Sequence, residues 1–218
     1  MAQVFSRAAD TYLRLLLIVV ALGLVGGALV GGGLVRSDYL TRQHLAPEQP
    51  VPFSHRHHSG QLGIDCRYCH DQVEHAASAG FPPTRTCMSC HSQLWTHAEA
   101  LAPVRESLAS GTPIRWNRVH DLPDFVYFDH SIHVQRGVAC ETCHGPVNDM
   151  ARVYQAETLN MGWCLDCHRQ PREHLRPKEH VFDFRWRPPA DQGEIGRRLV
   201  AEQGIELRDL DSCYVCHR

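Results

Sequence analysis

Lysine is almost missing from this sequence: of 22 basic side chains only Lys178 is lysine, and the others are arginine. No basic stripe with interleaved aromatics occurs, so the electrostatic footprint of a nucleic-acid-binding chain is absent. Periodic apolar segments are also scarce after residue 40, where all thirteen prolines and long polar stretches interrupt the chain. Protein alone would bury little apolar surface there, which excludes an ordinary hydrophobic core. Spare thiols are lacking too, because every cysteine falls into one repeated pattern.

That pattern is Cys-x-x-Cys-His, and it occurs five times: Cys66/Cys69/His70, Cys87/Cys90/His91, Cys140/Cys143/His144, Cys164/Cys167/His168 and Cys213/Cys216/His217. With 16 histidines in 218 residues, about 7% of positions are His, so five chance hits have odds of roughly two in a million. Four-ligand zinc sites consume such pairs two at a time, and five pairs do not divide by two. A thioredoxin-like dithiol needs one pair in a βαβ setting. Covalent haem c attachment fits: two thiols add to the haem vinyl groups and the adjacent histidine becomes the proximal iron ligand. The expected cofactors are five covalently bound haem c.

Five macrocycles would supply the missing core. The expected fold class is a multihaem cytochrome c, mostly irregular loops and short α-helices around five haems, plus one N-terminal transmembrane helix. Formal net charge is only −2, and ten haem propionates would add to it. Arginine suits them, since its planar fork binds carboxylates bidentately; Arg169 and Arg218 directly follow two motifs. A compositional preference for arginine explains the bias about as well.

Residues 15–35, "LLLIVVALGLVGGALVGGGLV", carry no charge over 21 positions, enough as a helix for about 31 Å of hydrocarbon. The run exceeds a usual signal-peptide core of roughly 7 to 15 residues, which favours an uncleaved signal anchor over residues 1–36. Arg7 and Arg14 before it and Arg36 and Arg42 after it orient it only weakly. Because haem c is attached on the outer side of a bacterial inner membrane, residues 37–218 are expected as a haem domain on the periplasmic side. Gly23, Gly27 and Gly31 recur every four residues and would form a groove for a partner helix.

The haem domain contains a repeat. "FSHRHHSGQLGIDCRYCH" from Phe53 aligns with "FDHSIHVQRGVACETCH" from Phe128, with one extra residue in the first copy before its cysteines. Each copy is followed by a further motif, so two dihaem units, about 50–95 and 125–170, precede a fifth haem at 213–217. Short helices are expected over "EALAPVRESLAS" and from about Ile195 to Gln203, the latter stopped by Gly204. The histidine count permits bis-His ligation throughout. His55/His58 and His130/His133 hold equivalent places in the repeat and read as distal ligands. His120 and His174, in turn-rich segments, read either as ligands or as surface or propionate contacts. His44, His57, His75, His97 and His180 have no such support and read as solvated. Met161, three residues before Cys164, is a packing residue or a sulfur ligand.

"PFSHRHHSGQLGIDCRYCH", "PPTRTCMSCHSQLW", "RVHDLPDFVYFDHSIHVQRGVACETCHG" and "MGWCLDCHR" together resemble the pentahaem cytochrome c subunit of bacterial alternative complex III, over almost all of residues 50–218. The resemblance implies an electron-transfer subunit of a membrane complex that oxidises quinol and feeds periplasmic carriers or a terminal oxidase. Implied partners are polytopic quinone-site subunits, an iron–sulfur subunit and monohaem cytochromes c. It also implies that His55 serves the first haem and His130 the third, with His58 and His133 reaching neighbouring haems. A stand-alone, membrane-anchored multihaem quinol dehydrogenase feeding a periplasmic reductase is the alternative. A multihaem reductase fits less well, since all five motifs end in His and Lys178 lies outside them.

Overall fold

A computed structural model describes residues 6–217, without the side chain of Arg7. The chain divides between Gln43 and His44 into two compact units. The first is built on α1, Arg7–Val35, which begins where the Ser6 hydroxyl accepts from the Ala9 N–H at 3.2 Å. Its span Ala8–Val35 has a mean hydropathy of 2.5, and none of its most apolar stretch is buried by protein. Leucines and valines that water would penalise therefore stand exposed all round the helix, as a membrane span requires. A Cβ on Gly23, Gly27 or Gly31 would meet nothing within 4 Å. The unit continues past residue 36 because the Ser37 hydroxyl donates to Leu34 O and a short helix α2, Asp38–Thr41, follows at once.

The second unit is all short helices and loops; among the described residues the only β-pairing is two isolated bridges, Val126 with His217 and Val138 with Leu175. Each Cys-x-x-Cys pair sits on a helix of its own: α3, Cys66–Cys69; α4, Thr84–His91; α7, Cys140–His144; α8, Met161–Arg169; and α10, Cys213–Cys216. A three-residue separation on a helix brings both thiols to one face. Between them lie α5, Ala102–Ser110, and α6, His130–Gln135, and α9, Gln192–Glu202, precedes the last motif. The helix expected over residues 99–110 is present as a 3₁₀ turn, Glu99–Leu101, running into α5. The one expected near Ile195 begins earlier, at Gln192. Its first turn is polar, so no apolar period announces it, and Gly204 at φ +59° follows its end.

Both repeat copies start alike and then diverge. Asp129 caps α6 by accepting from the N–H groups of Ser131 and Ile132, and Ser54 at the same place accepts from the His57 N–H. The extra residue of the first copy is absorbed as a π-helical turn, Arg56–Gln61, where the second copy has α6. A π turn takes one more residue per hydrogen-bonded loop than an α turn, so the insertion is accommodated without displacing the histidines before it. This turn docks on the 3₁₀ turn Val147–Asp149, with Arg56 Nε donating to Asp149 O at 2.8 Å. Gly60 is needed there, since a Cβ would strike the Asn148 carbonyl.

Buried apolar side chains are few and small: Val73, Val134 and Val181 form one cluster, and Val51, Val104, Ala139, Met150, Leu175 and Leu199 lie elsewhere. Backbone packing replaces side-chain packing in places. Gly196 on α9 lies against the Arg172 carbonyl so closely that any Cβ would overlap it. Gly193, one turn earlier, has nothing within 4 Å of the same position. Gly196→Ala should lower stability by about 1 to 3 kcal/mol in spite of alanine's better helix propensity. Gly193→Ala should be neutral or stabilising by up to ~1 kcal/mol. Thermal unfolding of the haem-loaded variants checks the opposite signs.

Candidate haem sites

Four of the five motif histidines share one device. His70 Nδ1–H donates to Gly80 O at 2.8 Å, His91 to Leu94 O at 3.2 Å, His168 to Leu210 O at 2.7 Å and His217 to Phe125 O at 3.2 Å. A carbonyl can only accept, so the proton of each neutral imidazole is held on Nδ1 and Nε2 is left as a bare lone pair. That is the tautomer a metal ligand needs, with its ring orientation already set. His144 differs, because its Nδ1 faces Nε2 of His120 at 3.3 Å.

All the proximal rings but that of His217 face a second imidazole. His55 and His70 lie parallel within 3° with centroids 6.4 Å apart, and His130 and His144 within 7° at 6.2 Å. His58 and His91 are 6.2 Å apart at 66°, and His133 and His168 are 6.1 Å apart at 40°. Direct stacking would bring rings closer, and no hydrogen bond joins these pairs. Two metal–imidazole bonds of about 2 Å each, with half a ring on either side, add up to ~6 Å. The spacing therefore fits one metal ion between each pair. Among the described residues no three His, Cys, Asp or Glu side chains converge as a group that could hold a metal ion.

Phenylalanine packs against both histidine pairs of the repeat. Phe53 stacks on His58 at 4.4 Å and meets His55 edge-on at 4.9 Å; Phe128 does the same with His133 at 4.5 Å and His130 at 4.8 Å. His58 and His133 each donate from Nδ1 to the carbonyl four residues back, Ser54 and Asp129. His130 Nδ1 donates to Ala77 O at 2.7 Å, whereas the buried Nδ1 of His55 has no partner. Burial keeps these rings neutral: it lowers His55 to about 4, lowers His58 and His133, and takes His144 to about 3 with the neighbouring His120 and His130 adding to the effect. A neutral imidazole is the form that ligates a metal.

None of the ten cysteines is in a disulfide. The thiol of Cys69 feels that of Cys87, Cys66 contacts Cys140, Cys143 feels Cys167 and Cys164, and Cys164 feels Cys216. These neighbours string the motifs in the order α4, α3, α7, α8, α10, different from their order in the chain. Tyr68 and Ser89, hydrogen-bonded at 2.7 Å, join the first two of these helices.

Cys90 and Cys213 are exposed, whereas the other eight cysteines are partly covered. In each of these motifs the other thiol, Cys87 or Cys216, is the one turned to the adjacent helix. Cys90 has the Ser89 hydroxyl 3.9 Å from its sulfur, too long and too local a contact to shield it.

The other candidates are placed as follows. His120 meets the ring of His144 edge-on at 79°, with centroids 4.4 Å apart. His174 lines a cleft with Trp163, Asp166, Cys167 and Arg176. Met161 opens α8 and is 65% exposed. His44 lies near Tyr154, His57 stacks on Trp95 and bonds Gln61, and His180 meets Asp183 at 3.4 Å. Arg169 is engaged by Asp211 at 3.2 Å, and Arg218 lies outside the described residues. The carbonyls of Gly80, Leu94, Leu210 and Phe125 escaped the sequence reading, because a backbone acceptor leaves no signature in residue type.

The family of cytochrome c7 and related cytochromes c matches residues 126–218, which include the second repeat copy and the last three motifs. Over 142 residues the chain is 32% identical to "Menaquinone reductase, multiheme cytochrome c subunit" of Nitratidesulfovibrio vulgaris, covering 56% of this chain and 68% of that protein. With thiol pairs on one helix face and imidazoles held in the ligand tautomer, this chain belongs to the multihaem cytochromes c, electron-transfer proteins with covalently bound haem c.

Proposed function

We propose that this chain is the electron-transfer subunit of a membrane quinol-oxidising complex of the alternative complex III kind, delivering electrons to periplasmic acceptors or a terminal oxidase. In this reading it holds five haem c through Cys66 and Cys69, Cys87 and Cys90, Cys140 and Cys143, Cys164 and Cys167, and Cys213 and Cys216, with His70, His91, His144, His168 and His217 as proximal ligands. His55, His58, His130 and His133 are distal ligands to the first, second, third and fourth motifs. Bound haem supplies one-electron redox chemistry. The chain's part is to fix each imidazole's tautomer and direction, to cover the macrocycles, and to hold consecutive motifs close together. The observation that carries the reading is the set of four facing imidazole pairs, since ligands on both faces leave no coordination position for a small substrate at four of the five haems.

The exposed apolar helix α1 supports a membrane location, with the unit after Gln43 on the periplasmic side where haem c is attached. The relative is named as a subunit of a menaquinone reductase, which supports a partnership with quinone chemistry. Polytopic quinone-site subunits, an iron–sulfur subunit and monohaem cytochromes c are the partners this reading calls for. A stand-alone membrane-anchored quinol dehydrogenase is favoured by one observation, that the chain brings an apolar span of its own.

His58→Ala should leave the iron held by His91 without its sixth ligand, and a high-spin electron paramagnetic resonance signal worth one haem should appear. His130→Ala should do the same at His144. Unchanged low-spin spectra in both variants would overturn the ligand assignment.

The purified, haem-loaded full chain should be reduced slowly or not at all by a quinol analogue, and rapidly once partner subunits are restored. It should turn over neither nitrite nor sulfite when a reductant is supplied. Fast quinol-driven change in haem absorbance without partners would favour the stand-alone reading instead.

A further inference from the structure

Four proximal imidazoles donate their Nδ1–H to a backbone carbonyl, and His144 alone among them meets a side chain there. We propose that His120 is a positioning residue for the third haem, accepting the Nδ1–H of His144 and thereby setting the electron-donating strength of that axial ligand. The inference rests on the ligand reading above.

Direction follows from valence. A neutral imidazole carries one N–H, and His144 faces His130 across the ligand gap at 6.2 Å, so its outward Nε2 must be the bare nitrogen. Its proton is then on Nδ1, and His120 Nε2, at 3.3 Å, must accept. His120 is held for this task. It lies in the bend 119–120, flanked by an ion pair in which Arg118 reaches Asp121 at 2.9 Å, and its ring meets His144 edge-on with centroids 4.4 Å apart.

The chemical consequence differs from that at the other four sites. An imidazole nitrogen is a stronger base than an amide carbonyl oxygen, so it draws the Nδ1 proton further and makes His144 a stronger donor to the iron. A stronger donor favours the oxidised metal and lowers its reduction potential. The hydrogen bond belongs to a replaceable side chain, so the third site can be tuned without moving the backbone.

The test is a redox titration of the haem-loaded full chain with His120→Phe and His120→Gln, alongside electron paramagnetic resonance. Phenylalanine removes the acceptor: one of the titration components should shift upward while the others stay, with no new high-spin iron. Glutamine supplies a weaker oxygen acceptor and should shift the same component upward by less. If the Phe variant does not load fully, the upward shift in the Gln variant decides. No shift in either loaded variant would overturn the proposal, as would a high-spin signal worth one haem, which would make His120 an iron ligand. The distal assignment is tested separately: high-spin iron in His130→Ala supports the ligand reading whatever the His120 variants do.

Discussion

The hydrogen bond from a histidine Nδ1 to a main-chain carbonyl is the interaction on which the rest of this structure depends. An imidazole can ligate through either nitrogen and can rotate about two bonds, so a Cys-x-x-Cys-His motif by itself leaves the ligand undirected. Tying Nδ1–H to Gly80, Leu94, Leu210 or Phe125 settles the tautomer and leaves Nε2 as the free nitrogen. Each acceptor sits in a segment outside its motif helix, so the loops that look structureless have a defined job.

Those loops could not be held by a conventional core. Small aliphatic residues make up most of the buried apolar set, and backbone close approaches, such as Gly137 at φ +86° against the Arg176 carbonyl, do some of the joining. Cofactor mass is the natural complement of such a chain, since packing to protein density requires something large and apolar between the helices. The two repeat copies show how tightly the arrangement is specified. Phe53 and Phe128 hold their histidine pairs in nearly the same geometry, although one copy continues as a π turn and the other as an α-helix.

The spatial order of the motifs bears on the proposed function. The second and fifth motifs stand at the ends of the string, where Cys90 and Cys213 are exposed, and the first, third and fourth lie between them. Close succession suits a carrier that takes electrons at one place and gives them up at another. His120 adds an adjustable element at the middle of that string, where the other proximal ligands have a main-chain acceptor.

By itself the sequence determined the chemistry of attachment, the apolar span and the repeat, because each is written in residue type at short spacing: Cys-x-x-Cys-His within five residues, twenty-one uncharged positions in a row, Phe-x-His-x-x-His twice. It also marked His55, His58, His130 and His133 as a matched set through the repeat. Which ring faces which was decided only by tertiary structure. His58 meets His91 from 33 residues away and His133 meets His168 from 35, distances over which no local pattern extends. His120 is the plainest case. Its sequence context was compatible with a ligand or a surface contact, and only the fold, by bringing its Nε2 to the Nδ1 of His144, placed it behind an axial imidazole. Covalent chemistry is local and legible, whereas hydrogen-bond partnership depends on where the chain returns.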